Sequence, residues 1–375
     1  MDIRTDFIRF LDDHFPQMLD DLMELAAIPA PSHHEEKRAA WVKAYLERYG
    51  AQDVTIDRAL NVILNLTPGA DDYAVYMAHT DVVFPDTTPL PVVREDHIIR
   101  APGIGDDTAN LIVLLLVARY ILENRLKPKR GVLIVANSCE EGLGNLKGVR
   151  QICGDYPVRE LVTFDGSLGR IVNTAVGSQR YRVTVRTEGG HSFGSFGNRS
   201  AIAYLARMIA TLYEIKAPAY GKTTYNVGTI EGGTSVNTIA QEAQMLYEFR
   251  SDDRRGLSEM QTFFESVLNT YRAMGITVER ELLGVRPCNG DIDAARQKVL
   301  EERVAAHSLS VTGTPVSFGS GSTDANIPLS MGIPALCTGV VTGGGGTHTR
   351  EEWIDTTDLK KGAVFCANVV LDEFV

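Results

Sequence analysis

The chain has 375 residues, enough to bury a large core in two or three domains without a disulfide or a metal to hold it folded. Its 37 basic and 48 acidic residues leave a net charge of −11. That balance argues against nucleic acid and anionic membrane surfaces as partners, because both are bound through clustered cations.

The longest clean apolar run, Leu111 to Ala118, is far short of the ~20 residues a membrane-spanning helix needs. The acidic start, Met1-Asp2-Ile3-Arg4-Thr5-Asp6, lacks the apolar stretch of a secretory signal. Five cysteines (Cys139, Cys153, Cys288, Cys337, Cys366) are widely spaced and form no C-x-x-C pair. They read as reduced thiols, and the expected compartment is the cytoplasm.

Apolar spacing predicts helices over Ile8 to Leu25 and Ala39 to Tyr49, then short buried strands at Val62 to Leu66 and Ala74 to Ala78. A long apolar helix is expected from Thr108 to Leu122, followed by buried strands at Gly131 to Ala136 and Leu161 to Phe164. Strands separated by helices point to an α/β fold with a mixed, mostly parallel sheet flanked by helices. The pattern then changes. Tyr181 to Thr187 alternates like an antiparallel strand with one wet face. A helix from Arg199 to Tyr213, strands near Thr223 to Ile230 and Ala243 to Phe249, a helix from Leu257 to Met274 and a strand from Ile276 to Leu283 complete a β-α-β-β-α-β order. That order is the one found in small ferredoxin-like α+β units. After Pro287 the α/β pattern returns, with a helix near Ile292 to Ala306, a strand at Ala335 to Val340 and a last helix from Thr357 to Leu371. The expected organisation is a discontinuous catalytic domain, residues 1–176 and 285–375, carrying an inserted α+β domain at 177–284.

Five motifs carry chemistry. Tyr76-Met-Ala-His79-Thr-Asp81 puts His79 and Asp81 on the same face at a strand end, where open α/β sheets gather ligands; alone, such a pair is also an ordinary surface feature. Gly103-Ile-Gly105-Asp106-Asp107-Thr108 precedes the apolar helix and reads equally as a helix cap. In Ala136-Asn-Ser-Cys-Glu140-Glu141-Gly142 two adjacent carboxylates end an apolar strand, where they repel each other unless a cation or a shared proton intervenes. Thr163-Phe-Asp165-Gly166 puts a carboxylate at another strand end, with a simple turn as the other reading. Gly343-Gly-Gly-Gly-Thr347-His348-Thr-Arg-Glu351 places a histidine after four glycines that permit close backbone approach.

The constellation says more than its members. His79, Asp106, Glu141, Asp165 and His348 supply two imidazoles and three carboxylates, a set that suits a pair of zinc ions with one aspartate bridging. Two metals ~3.5–4 Å apart share a hydroxide and lower the pKa of water towards ~7. Glu140 is next to a ligand yet faces differently, which leaves it free to shuttle protons. No G-x-S-x-G elbow is present, and Cys139 reads as part of an apolar strand, so nucleophilic catalysis is not favoured.

At these residues the sequence resembles the co-catalytic di-zinc exopeptidase and amidohydrolase family, which includes peptidase T, carboxypeptidase G, aminoacylase, acetylornithine deacetylase and succinyl-diaminopimelate desuccinylase. The motifs occur in the family's order over nearly the whole chain. The resemblance implies that His79 and Asp165 bind one zinc, that Glu141 and His348 bind the other, and that Asp106 bridges them. It implies that Asp81 hydrogen-bonds the His79 imidazole, that Glu140 is the general base, and that a cis peptide follows Asp106. Glu188-Gly-Gly-His191-Ser-Phe-Gly resembles the family's lid motif, whose histidine reaches the partner subunit's site and stabilises an oxyanion. Asn237 and Arg250 match lid positions that contact substrate, although a turn residue and a surface ion pair are the plainer readings. Ser322-Thr-Asp324-Ala-Asn326 resembles a loop lining the pocket, with a helix cap as the other reading.

Asp107-Thr108-Ala-Asn110 departs from the Lys-containing segment common in the family, which puts the substrate in doubt. The resemblance is strongest to the peptidase T branch. It implies two zinc ions per subunit, with cobalt or manganese as substitutes, a homodimer formed through the lid, and a short peptide as substrate. The alternatives are an N-acyl-amino-acid deacylase and a non-catalytic, metal-stabilised binding protein.

Overall fold

Apolar strands and helices alternating through the chain assemble into an eight-stranded mixed sheet, in the order Val54–Ile56, Val62–Asn65, Gly131–Asn137, Tyr73–His79, Val158–Phe164, Ala335–Thr338, Arg170–Ala175 and Ser317–Gly321. The computed structural model describes residues 3–375. The four central strands, Gly131–Asn137 through Ala335–Thr338, run parallel to one another. Every residue of Tyr73–His79 and Gly131–Asn137 is buried, which is why both read as continuous apolar runs rather than as alternating ones.

The two faces of this sheet build two cores. Ala74, Tyr76 and Ala78 join the larger cluster, packed with the helices Ile3–Ala27, Glu36–Arg48, Ala109–Glu123 and Leu359–Leu371. Tyr73, Val75 and Met77 face the other side, against Leu146, Val149 and Ile152 and against Ala325 to Leu329. The helix Ala109–Glu123 is buried without a break from Ala109 to Ile121. A helix apolar all round is a core helix, and here it fixes the turn that precedes it.

Contacts divide the chain into two compact units. One comprises the residues up to Ala175 with Gly290–Val375, and the other is Val176–Asn289. The second unit is a four-stranded antiparallel sheet, in the order Thr223–Gly232, Glu242–Ser251, Gly177–Arg186, Thr277–Arg286. Tyr181, Val183, Val185, Met245, Tyr247 and Phe249 share one core with Leu205 and Met208 from the helix Ala201–Leu212 and with Met260 and Phe264 from the helix Arg254–Ala273. The element order and the strand order are those of a ferredoxin-like unit.

The first unit also holds a small antiparallel sheet that the apolar pattern does not reveal, in the order Gly343–Gly345, Trp353–Asp355, Ile98–Arg100, Val93–Glu95. Its strands have only three residues each, too short to show a period. Gly344 and Gly345 are needed there, since a Cβ at either position lies within 2.8 Å and 3.1 Å, respectively, of atoms of Trp353. Among the described residues no helix is long and apolar enough to cross a membrane.

Candidate metal centre

Parallel strands bring their carboxyl ends to one edge, and the chemistry-bearing residues lie there. His79 is the last residue of its strand, Asp165 follows Val158–Phe164 directly, and Glu140 and Glu141 sit in the turn beyond Gly131–Asn137. Asp106 lies in the wide turn Ile104–Thr108 with a non-helical backbone (φ −121°, ψ 87°), and its peptide bond to Asp107 is cis. His348 is carried on the loop of the hairpin formed by Gly343–Gly345 and Trp353–Asp355, in a left-handed conformation (φ 64°).

One carboxylate lies between the two imidazoles. His79 Nε2 is 3.0 Å from Asp106 Oδ1, and His348 Nε2 is 3.1 Å from Asp106 Oδ2. His348 Nε2 is also 3.0 Å from Glu141 Oε1. Three sets of donor atoms each fall within 4.8 Å of one another: His79, Asp106 and Asp165; Asp106, Glu141 and His348; and His79, Glu140 and Glu141. Four ligands ~2.0–2.2 Å from a tetrahedral zinc stand ~3.3–3.6 Å apart, so each set is close enough to hold a divalent cation, and the first two share Asp106. The third brings Glu140 to the side of Glu141 and His79, rather than leaving it facing differently as the sequence suggests. The chemistry of the donor set agrees. Asp81, Asp106, Asp107, Asp165, Glu140 and Glu141 crowd six carboxylates around two imidazoles, a surplus of negative charge that divalent cations would balance.

Electrostatics record that crowding. Burial works against the charged form of His79, but Asp107, Asp106 and Asp81 more than offset it and hold the ring's pKa well above the usual histidine value. Hydrogen bonds to Asp106 and Glu141 push His348 up to about 10. Burial raises Asp106, but its contacts with His348 and His79 win and hold it well below the ordinary carboxylate range. Burial and the neighbouring Asp106 charge push Asp165 up.

A second tier of side chains fixes the turns themselves. Asp81 Oδ1 and Oδ2 accept the backbone N–H of Glu140 and Glu141, each at 2.9 Å, and Ser32 Oγ donates to Oδ2 at 2.6 Å. The closer partner of His79 Nδ1 is the Asp81 carbonyl oxygen at 3.0 Å; the Asp81 carboxylate lies 3.5 Å away. Asp81 thus anchors the Glu140–Glu141 backbone while its carboxylate also stands beside the imidazole. Asp107 Oδ2 accepts the His79 N–H at 2.8 Å.

Glu35 Oε1 accepts the N–H of Cys139 at 3.0 Å and its thiol at 3.2 Å. Cys139 is therefore a buried turn residue with φ 57°, beyond the end of the strand in which the sequence places it. Burial and the Glu35 charge push its thiol up to about 12, which removes it as a nucleophile. Arg38 is fully buried and donates to Ile28 O, Thr80 O and Thr108 Oγ1 at 2.8, 3.0 and 3.1 Å, linking the segments on either side of the site. Glu352 Oε1 accepts the N–H groups of Gly105 and Asp106 at 2.8 and 2.9 Å, and Oε2 accepts that of Gly103 at 3.0 Å. Burial, then the Asp106 charge, raises Glu352 to about 7 against the pull of those three donors.

Ser32, Glu35, Arg38 and Glu352 escape sequence reasoning because each reads as an ordinary helix-start or surface residue. The one hint is spacing: Glu352 lies four residues after His348.

His191, Asn237 and Arg250 belong to the second unit. His191 and Asn237 sit on paired short strands or beside them, with the Ser192 N–H donating to Asn237 O at 2.9 Å. His191 Nδ1 accepts the N–H groups of Phe193 and Gly194, both at 3.2 Å, so the neutral ring carries its proton on Nε2. Arg250 makes a two-pronged pair with Glu248 at 3.1 Å on each arm, and Asn237 Oδ1 accepts from Ser235 Oγ at 2.8 Å. Asp324 Oδ2 accepts from Asn137 Nδ2 at 2.6 Å, a buried contact at the end of the strand Gly131–Asn137.

Comparison with known proteins places this geometry in context. YqjE of Bacillus subtilis, an uncharacterised protein, is 23% identical over 376 residues, which covers 94% of this chain and 97% of the relative. Aminopeptidase PepT from Bacillus cereus superposes with a TM-score of 0.71 at 22% identity, covering 95% of this chain and 98% of that one. A tripeptidase from Staphylococcus aureus gives a TM-score of 0.74 at 22% identity, covering 95% of this chain and 97% of that one. The model of peptidase family M20/M25/M40 matches residues 75–372, and the chain belongs to that family.

Proposed function

We propose that this protein is a metal-dependent exopeptidase that hydrolyses short peptides in the manner of an aminopeptidase or tripeptidase. Two zinc ions are its proposed working metals, with cobalt or manganese as substitutes. The observation that carries the reading is the Asp106 carboxylate, one oxygen facing His79 and the other His348, with Asp165 and Glu141 completing the two sets. Membership in a peptidase family supports hydrolysis of a peptide or amide bond, and the likeness to PepT and to a tripeptidase supports the peptide branch.

His79 and Asp165 would hold one cation, Glu141 and His348 the other, and Asp106 both. When bound, such a pair supplies Lewis-acid polarisation of the scissile carbonyl and lowers the pKa of water enough for attack near neutral pH. The chain supplies the rest. A carboxylate oxygen of Glu140 takes the proton from the attacking water and delivers it to the departing nitrogen. Asp81 anchors the turn that carries this side chain by accepting the Glu140 N–H. The second unit is proposed as a lid and dimerisation domain. His191 of the partner subunit would donate its Nε2–H to the oxygen on which charge develops, and Asn237 and Arg250 would contact polar groups of the substrate. The cytoplasm is the proposed compartment.

The test is a substrate panel on chelated and zinc-reloaded protein, with metal counted by mass spectrometry. Two metals per chain and release of the N-terminal residue from tripeptides, abolished by N-acetylation, are expected. Glu140→Gln should keep both metals and lose ~10²–10⁴-fold in turnover. Cleavage confined to N-acyl amino acids would replace the peptidase reading with a deacylase. Bound metal with no hydrolysis of either class would make the protein a binder.

A further inference from the structure

Glu352 stands where the two histidine-bearing halves of the centre meet. It ends the loop that carries His348, and the next residue, Trp353, pairs with Arg100 at the start of the segment that leads to Asp106. Its own carbonyl accepts the Ala101 N–H at 3.1 Å, so backbone pairing alone already docks the hairpin. The side chain adds something different. A carboxylate only 1% exposed turns back and collects three amides of the neighbouring loop, Gly103, Gly105 and Asp106, between 2.8 and 3.0 Å.

The sequence of that loop is built around it. A Cβ on Gly105 would stand 3.0 Å from Glu352 Oε1 and 3.2 Å from Ile354 Cγ2, and one on Gly103 would stand 2.3 Å from Val82 Cγ1. Glycine at 105 leaves the carboxylate room to reach the amides. Burying a carboxylate to close a hairpin that is already closed is costly, and an apolar residue would do that work better. What the carboxylate fixes is the direction of the Asp106 backbone relative to His348.

We propose that Glu352 is a positioning residue: by gripping the Gly103–Asp106 amides from the His348 loop, it sets the spacing of Asp106 and His348 and so preforms the cation position these residues share with Glu141. The inference rests on the metal reading above. It touches no reacting atom. His79 and Asp165 have separate anchors, the Asp107 side chain on the His79 N–H and the Thr338 carbonyl on the Asp165 N–H, so their position depends on Glu352 only through the shared aspartate.

Zinc affinity, measured by competition with a chromophoric chelator, tests this, with cobalt absorption spectra as a second readout. The parent should bind two ions. Glu352→Gln keeps the shape but presents an N–H₂ where an acceptor is needed. It should weaken one of the two ions ~10–100-fold, the range typical of lost outer contacts to ligands. The other ion should move far less. The weakened ion should be the one that His348→Ala removes, and its cobalt spectrum should change.

Gly105→Ala, a milder intrusion on the same contact, should shift the same ion in the same direction and decides the matter if Glu352→Gln does not fold. Arg350→Ala, on the same loop but paired outward with Asp86, should leave both affinities at parental values. Two ions bound by the parent and both bound with unchanged affinity by Glu352→Gln, even with a lowered melting temperature, would overturn the positioning role alone. A parent that takes up no zinc would remove the metal reading and this inference with it.

Discussion

The carboxylate of Asp81 accepts the backbone N–H of Glu140 at 2.9 Å and, with its second oxygen, that of Glu141 at the same distance. An aspartate fully buried at a strand end thus holds the proposed general base and a proposed ligand by their main chain. Its pKa is held below the ordinary value: burial raises it, but the contacts with His79, the Ser32 hydroxyl and the Glu141 amide prevail. Asp81→Asn replaces one acceptor by a donor and leaves an amide facing an N–H₂ group. A loss of ~10–100-fold in kcat/KM is expected, in the range of lost outer contacts to metal ligands. The fall in stability should be ~1–3 kcal/mol, the cost of an unsatisfied buried polar group. Steady-state kinetics beside a urea melt check both. Full activity in the variant would show that the Glu140 turn is held by other means.

The crowded carboxylates give a second expectation. Without cations the centre keeps six acidic groups close together at the edge of the sheet, so divalent metal should stabilise the folded chain as any ligand specific to it does. At a free concentration 100 times the dissociation constant the gain is ~2.7 kcal/mol per site. Thermal melts with chelator and with rising zinc should therefore show a midpoint that climbs with metal. His79→Ala together with His348→Ala should flatten the response. A midpoint indifferent to metal in the parent would count against the cation pair.

Much of the fold is legible in the sequence because the central elements are buried on all sides. Tyr73–His79 and Gly131–Asn137 have no wet face, so their apolar runs and the polar residues that end them stand out. Short segments are not legible. The strands Ile98–Arg100 and Trp353–Asp355 have three residues each, yet their pairing is what brings the Asp106 and His348 loops together. Side chains that work through hydrogen bonds to a distant main chain are equally silent. Glu35, Arg38 and Glu352 have partners 42 to 249 residues away among their contacts, and nothing local distinguishes them from surface charges. His79, Asp106, Glu141, Asp165 and His348 could be selected because each follows a strand, opens a helix or sits beside a run of glycines. Nothing in the residues themselves singles out Asp106 as the bridge; the family resemblance implies it, and in the structure one of its oxygens lies 3.0 Å from His79 and the other 3.1 Å from His348.

The helix Ala109–Glu123 is the keel of the larger core and positions the turn that carries Asp106. Leu116, wholly buried in it, is expected to cost ~2–5 kcal/mol when cut to alanine, through lost transfer energy and a residual cavity. Urea unfolding measures this. Metal affinity at temperatures well below the melt should stay near parental, because the substitution lies one to two helical turns beyond the hydrogen-bonded frame. A cost under 1 kcal/mol would mean that the core closes over the gap.

Asp21 supplies a pH-dependent test far from the centre. It is buried in the helix Ile3–Ala27, with Gln17 Nε2 donating to Oδ1 at 3.0 Å and no hydrogen-bond partner for Oδ2 among the described residues. Burial raises its pKa, against the pull of Gln17 and Arg119. A carboxyl group whose folded pKa lies above its unfolded one binds more protons in the native state, so its contribution to stability is present below the unfolded value, ~3.9, and is lost as the pH rises through the folded value. Asp21→Asn removes that loss. The variant should match or trail the parent in acid and exceed it at neutral pH, because the amide fits the same space without a charge for burial to penalise. Urea melts at pH 4 and pH 8 decide the sign: a variant that gains more at pH 4 than at pH 8 would mean that the ionised Asp21 is stabilised in the fold, by Arg119 or Arg48, more strongly than its burial penalises it.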